Sequence, residues 1–216
     1  MDTLFYLEIV NWKFTEPATV ITDIILGGFT AWFAVRLKNQ ARVWWAAAFG
    51  FISVAALLGA CWHGTQLHLG PYMYIGLWKF TLVFGAVSSF CLMLAGTRQL
   101  TGKGPDIFRN IAVVKLLCVI AGLSFSDSFL ITLVDFLATF TVLGIGAWLM
   151  SPRPRAYVRF LAAGIGLFLL GGFIQAAGLA PHPWFNHNDL FHLVQIVANF
   201  MLFAAASRYP LGIKKH

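Results

Sequence analysis

Seven stretches of this chain are apolar over the roughly 20 residues that a helix needs to cross a bilayer. They run approximately 18–36, 43–63, 73–97, 108–124, 128–149, 157–178 and 188–207. The fourth is short, and its separation from the fifth rests on Ser124-Phe125-Ser126-Asp127-Ser128, a polar cluster suited to a tight turn. Backbone amides in lipid must find partners within their own segment, so each stretch is expected to be a helix.

Composition supports the same reading. The chain is 59% hydrophobic and only 11% charged, with a mean hydropathy of +0.78. That charged fraction is less than half the ordinary level of about 25%. A soluble domain of this size could not keep so much apolar surface from water. The expected class is an all-α, polytopic integral membrane protein: one domain over residues 1–216, a seven-transmembrane helical bundle in contact with lipid. The net charge of +7 then needs no nucleic acid, because basic residues retain the cytoplasmic ends of helices. Cys61, Cys91 and Cys118 lie inside apolar stretches without metal-type spacing and read as packing residues, with no disulfide. Met1-Asp2-Thr3 lacks the basic region of a signal peptide, so no cleaved leader is expected.

Charge sets the expected orientation. Arg36, Lys38 and Arg42 flank the first loop, Arg98, Lys103 and Arg109 the third, and Arg153, Arg155 and Arg159 the fifth. Arg208, Lys214 and Lys215 lie in the tail, which places twelve of the fifteen basic residues on one side. The positive-inside rule makes that side cytoplasmic, with the N-terminus outside and the C-terminus inside. In a bacterium the membrane would be the inner membrane. Asp2, Glu8, Glu16, Asp23, Asp127, Asp135 and Asp189 fall toward the outer end, as do His63, His68, His182, His187 and His192. Trp12, Trp44, Trp45, Trp184 and Tyr209 fall where an interfacial aromatic belt is expected.

Ionisable groups at membrane depth are costly and usually face the bundle interior. In the last stretch Asn188, His192, Gln195 and Asn199 recur at i, i+4, i+7 and i+11, a single stripe on one helix face. His187 lies about 140° around from His192 at roughly 100° per residue, so the two converge only if the first turn is distorted. The second stretch carries His63 to the same depth, with Ala56, Gly59 and Ala60 leaving room for a partner helix.

Three neutral imidazoles, His63, His187 and His192, could hold Zn²⁺ and leave a fourth position for water. Asp23 and Asp189 are the candidate catalytic carboxylates, since hydrolysis needs a proton acceptor. Asn188, Gln195, His68 and Lys79 are the candidate supporting residues, and an ammonium at Lys79 is expected to pair with an acid. Asp135 lies about two turns inside the fifth stretch and is expected near the same chamber.

Seven spans, an outer N-terminus, a histidine ending the second helix and a histidine pair opening the seventh resemble the CREST superfamily of membrane hydrolases. That group includes the alkaline ceramidases and the progestin and adipoQ receptors. Leu190-Phe191-His192 is the nearest local match to its final His-x-x-x-His motif. The resemblance implies a zinc site using His63 and His192, and hydrolysis of a lipid amide or ester. The chain departs from the pattern at Asn188, four residues before His192, and at Gly59, where the family has a serine before the second-helix histidine. The aspartate expected in the third helix is also absent.

Two other classes of function stay open on the sequence. One is a non-catalytic structural or accessory subunit with fixed partners in a membrane complex. The other is a haem-binding or proton-relay membrane protein, for which facing histidines and buried acids are the prerequisites.

Overall fold

A computed structural model describes residues 6–9, 12–40, 42–101, 106–149, 155–182 and 184–208. Asp2, Lys103, Arg153, Tyr209, Lys214, Lys215 and His216 lie outside the described residues, as do the side chains of Trp12 and Arg155. Seven helices follow a short hairpin: α1 (Pro17–Lys38), α2 (Val43–Gly64), α3 (Pro71–Thr101), α4 (Asp106–Phe125), α5 (Phe129–Leu149), α6 (Arg155–Ala177) and α7 (His187–Arg208). Each is long and apolar enough to cross a membrane. The chain is therefore an all-α, multi-pass membrane protein.

The serine-rich break falls where the sequence places it. Residues Ser126–Ser128 separate α4 from α5, with the Ser126 and Ser128 hydroxyls accepting from backbone N–H groups two residues on. This is the local side-chain bonding by which serine competes with helix.

Before α1 the chain forms a hairpin not expected from the sequence. Strands β1 (Tyr6–Ile9) and β2 (Trp12–Thr15) pair antiparallel, with Glu8 opposite Lys13. An opposite-charge pair on facing strands supports that register. The hairpin is pinned to the bundle by the Thr15 hydroxyl, which donates to the carbonyl of His63. His68 contacts the Lys13 carbonyl at 3.1 Å.

Helices α1 and α2, α2 and α3, α6 and α7, and α1 and α7 are direct neighbours, while α5 packs mainly on α3. Helix α4 is peripheral, burying only Ala112, Val119 and Leu123. Away from the hairpin, the interior is apolar and aromatic. Phe33 stacks on Phe203 with ring centroids 4.4 Å apart, and Phe49, Phe140, Leu143 and Leu202 fill the space around them. Trp45, expected at an interface, is instead fully buried and donates to the Gln99 side chain at 2.8 Å. An indole needs such a partner when it leaves water.

Two of the membrane-embedded basic residues resolve differently. Lys115 of α4 forms an ion pair with Asp135 of α5 and donates to the Ser89 hydroxyl at 3.0 Å. Asp135 is thus committed to α4 and does not line the chamber described below. Lys79 makes no ion pair among the described residues, so the acid partner expected for it does not appear.

Candidate functional site

At the hairpin end of the bundle a cavity of about 130 Å³ lies among α1, α2, α3, α5, α6 and α7. One wall is apolar and aromatic, with Leu26, Trp78, Leu82, Phe129, Phe136 and Phe168. The other is polar: Asp23 from α1, His63 from α2, Gln175 from α6, and Asn188, His192, Gln195 and Asn199 from α7. The stripe read from the α7 sequence therefore faces inward. A polar stripe has no alternative in lipid, which offers no hydrogen-bond partners.

The two histidines approach each other across this chamber, with ring centroids 6.5 Å apart and planes 79° apart. Each is held by an acidic residue near the start of α1. His63 Nδ1 lies 2.6 Å from Glu16 Oε2, and Gln66 donates to Glu16 Oε1 at 3.4 Å. His63 Nε2 makes no hydrogen bond among the described residues. His192 Nδ1 lies 3.1 Å from the Thr22 hydroxyl, and Nε2 lies 3.3 Å from Asp23 Oδ1.

Glu16 is shaped for its task. Its backbone is left-handed, with φ 45° and ψ 57°, a region in which non-glycine residues are uncommon. Such strain persists only where surrounding structure imposes it; here Pro17 opens α1 on one side and the hairpin anchors the other. Burial alone would raise the Glu16 carboxyl. Hydrogen bonds from His63, Gln66 and Asn188, with the His63 charge, outweigh it and hold the carboxyl below its ordinary 4.5.

Asp23 is 3% exposed, and its Oδ2 has no hydrogen-bond partner. Gly59 makes room for it: a Cβ built there would lie 3.0 Å from Asp23 Oδ2. Gly59 thus serves α1 rather than the imidazole, and the aspartate crowds the position where the CREST pattern has a serine.

Two proton arrangements satisfy the distances around His192. With the proton on Nε2, the ring donates to Asp23 and accepts from Thr22. With the proton on Nδ1, it donates to Thr22, whose hydroxyl donates onward to the Thr19 carbonyl at 3.0 Å. The second arrangement leaves an Nε2 lone pair facing a carboxylate oxygen, which requires a cation between them. Two ligands of one tetrahedral zinc are about 3.3 Å apart at bond lengths near 2.0–2.1 Å, which the His192–Asp23 separation matches. Two imidazoles on one zinc have ring centroids roughly 5 Å apart by the same geometry, so His63 stands slightly too far away. Among the described residues no three His, Cys, Asp or Glu side chains converge to hold a metal.

The remaining candidates sit elsewhere. His187 opens α7 and does not line the cavity, and neither does Lys79. His68 turns to the hairpin. Asp189 is buried in the first turn of α7, where its Oδ2 accepts from the Asn186 N–H at 2.6 Å. It acts there as part of the helix start, outside the cavity lining. Glu16, Thr22 and Gln175 were not singled out from sequence. Thr15, Thr19 and Thr22, at i, i+4 and i+7, form a helical stripe that could have signalled the α1 face.

A family model matches residues 18–210, which takes in all seven helices: the family of unknown function DUF6962. The chain belongs to that family. No curated protein and no solved structure matches it. In this DUF6962 member the matched region begins two residues after Glu16, so it contains both histidines and Asp23 but stops short of the hairpin.

Proposed function

We propose that this DUF6962 member is a metal-dependent membrane hydrolase acting on a lipid amide or ester. The single observation that carries the reading is the 3.3 Å separation of His192 Nε2 and Asp23 Oδ1, the spacing of two ligands on one zinc ion. His63 Nε2 is the third donor, reached by a small movement of that ring. The two Nδ1 atoms are already tied back, to Glu16 and to Thr22, as the distal nitrogens of metal-bound histidines usually are.

The chemistry that zinc supplies when bound is polarisation of a carbonyl and acidification of water to a pKa near ~7. The chain's own residues do the rest. Asp23 Oδ2 is the open acceptor for a proton released during attack, and it faces the same chamber. Glu16 fixes the tautomer of His63, and Thr22 that of His192. The aromatic wall accepts an acyl chain and keeps bulk water from the reacting centre. In the proposed orientation the hairpin end faces outward, so the substrate comes from the outer leaflet; in a bacterial cell the host membrane is the inner one.

The test is hydrolysis of lipid amides and esters by purified protein, before and after chelation and after readdition of zinc. Turnover that chelation abolishes and zinc restores supports the reading. Turnover unaffected by chelation, or none on either bond type, contradicts it.

A second reading has its own observation. Each imidazole already joins two helices, His63 to the start of α1 and His192 to Thr22 and Asp23, which is what interhelical polar contacts do in a non-catalytic subunit. Under that reading His63→Ala and His192→Ala lower stability and leave no metal or turnover to lose.

A further inference from the structure

Three carboxamides line the chamber, and each spends its NH₂ group on the protein itself. Gln175 donates to Asn188 Oδ1 at 2.8 Å, Gln195 to the Phe168 carbonyl at 3.3 Å, and Asn199 to the Gln195 carbonyl at 2.8 Å. These partners are all acceptors, so flipping any amide would set oxygen against oxygen; the assignment follows from the network. The result is three amide oxygens, Gln175 Oε1, Gln195 Oε1 and Asn199 Oδ1, that are buried and without a hydrogen-bond partner. Gln195 and Asn199 are 2% and 1% exposed, and all three residues line the same cavity.

A buried acceptor left bare costs free energy that a bound donor recovers. Here three bare acceptors from two helices surround one cavity, opposite an aromatic wall. An engineered apolar cavity of roughly 150 Å³ takes up benzene, so a chamber of about 130 Å³ holds a head group of a few heavy atoms.

We infer that the chamber is selective for an amphiphile whose head group carries several O–H or N–H donors. The three amide oxygens receive the donors, and Phe129, Phe136 and Phe168 receive the adjoining apolar part. A head group with acceptors only, or one fully methylated, is rejected because it leaves the amides unpaired. This deepens the hydrolase reading by naming the substrate's head-group chemistry, and rests on that reading for what happens after binding.

The experiment uses an uncleavable ligand pair, so that binding is read apart from hydrolysis. Purified full-length protein, freed of metal by chelation and placed in phosphatidylcholine nanodiscs, is titrated with a monododecyl glycerol ether bearing two free hydroxyls. The same ether with both hydroxyls methylated is the comparison, and binding is followed by native mass spectrometry. The diol is expected to bind at least about tenfold more tightly, the cost of leaving a buried acceptor unpaired. Asn199→Leu and Gln195→Leu are each expected to narrow that ratio. Equal binding of the two ethers overturns the inference, and so does binding of neither, which would mean that water alone satisfies the amides. Because no turnover or metal enters this measurement, failure of the hydrolase reading leaves its outcome intact.

Discussion

His63 Nδ1 and Glu16 Oε2 are 2.6 Å apart, although one ends the second helix and the other precedes the first. The contact joins the strained entrance of α1 to the imidazole that faces the chamber. It also fixes which nitrogen of His63 is free.

Replacing Glu16 therefore acts through His63. Glu16→Gln keeps the side-chain size but loses the charge-assisted bond, and Glu16→Ala removes it. Metal affinity is expected to fall by about 10–100-fold, the usual effect of losing an outer-shell partner, with helix content unchanged by circular dichroism. Competition with a chromophoric chelator measures this directly. Unaltered affinity in both variants would mean that Glu16 does not orient the ligand.

Acid should loosen the same contact. The Glu16 carboxyl is held below 4.5 in the folded protein, so its contribution is fully present above about that pH. It is lost as the pH falls further, through the lowered folded value. Hydrogen exchange of the hairpin amides, followed from pH 6 to pH 3 in roughly half-unit steps, is expected to accelerate only in the acid part of that range. In Glu16→Gln the hairpin should exchange faster at every pH, without that acid step.

The pair Lys115–Asp135 sits apart from the chamber, with side chains 12% and 0% exposed. Lys115→Met leaves a buried carboxyl without its partner and is expected to cost on the order of 3 kcal/mol. Lys115→Met with Asp135→Leu removes both charges and should recover most of that loss. Thermal unfolding in detergent compares them. A double variant no more stable than the worse single one would contradict the idea that the pair chiefly holds α4 to the bundle.

Gly59 tests the position of Asp23. A Cβ at this position would press on Asp23 Oδ2 at 3.0 Å, and a valine adds two further methyl groups. Gly59→Val is expected to destabilise the fold by about 1–3 kcal/mol, as overpacking does, and to reduce metal affinity by displacing the carboxylate. Gly28→Val is the control, because a Cβ there meets nothing within 4 Å.

Much of this arrangement was legible in the sequence because lipid permits so few solutions. Apolar length gave the seven helices, and the serine cluster gave the α4–α5 break. The recurrence of Asn188, His192, Gln195 and Asn199 gave an inward face, and the position of His63 gave its depth. What the sequence could not supply were contacts made between segments far apart in the chain. Glu16 precedes the first apolar stretch and looks like any interfacial acid until His63 lies beside it. His187 is near His192 in sequence, but the helical rotation between them separates them in space. Asp135 is near enough to the chamber by depth alone, yet Lys115 of α4 is the partner it meets. Nothing in the local sequence ranks those two choices.

The central claim is that His63, His192 and Asp23 together hold one metal ion, and the most direct measurement is metal content. Protein purified without chelators and analysed by inductively coupled plasma mass spectrometry is expected to carry about one zinc per chain, as a single site requires. Folded His63→Ala/His192→Ala and Asp23→Asn proteins should carry little or none. A wild-type chain without bound metal after zinc loading, or variants that retain it undiminished, would contradict the account.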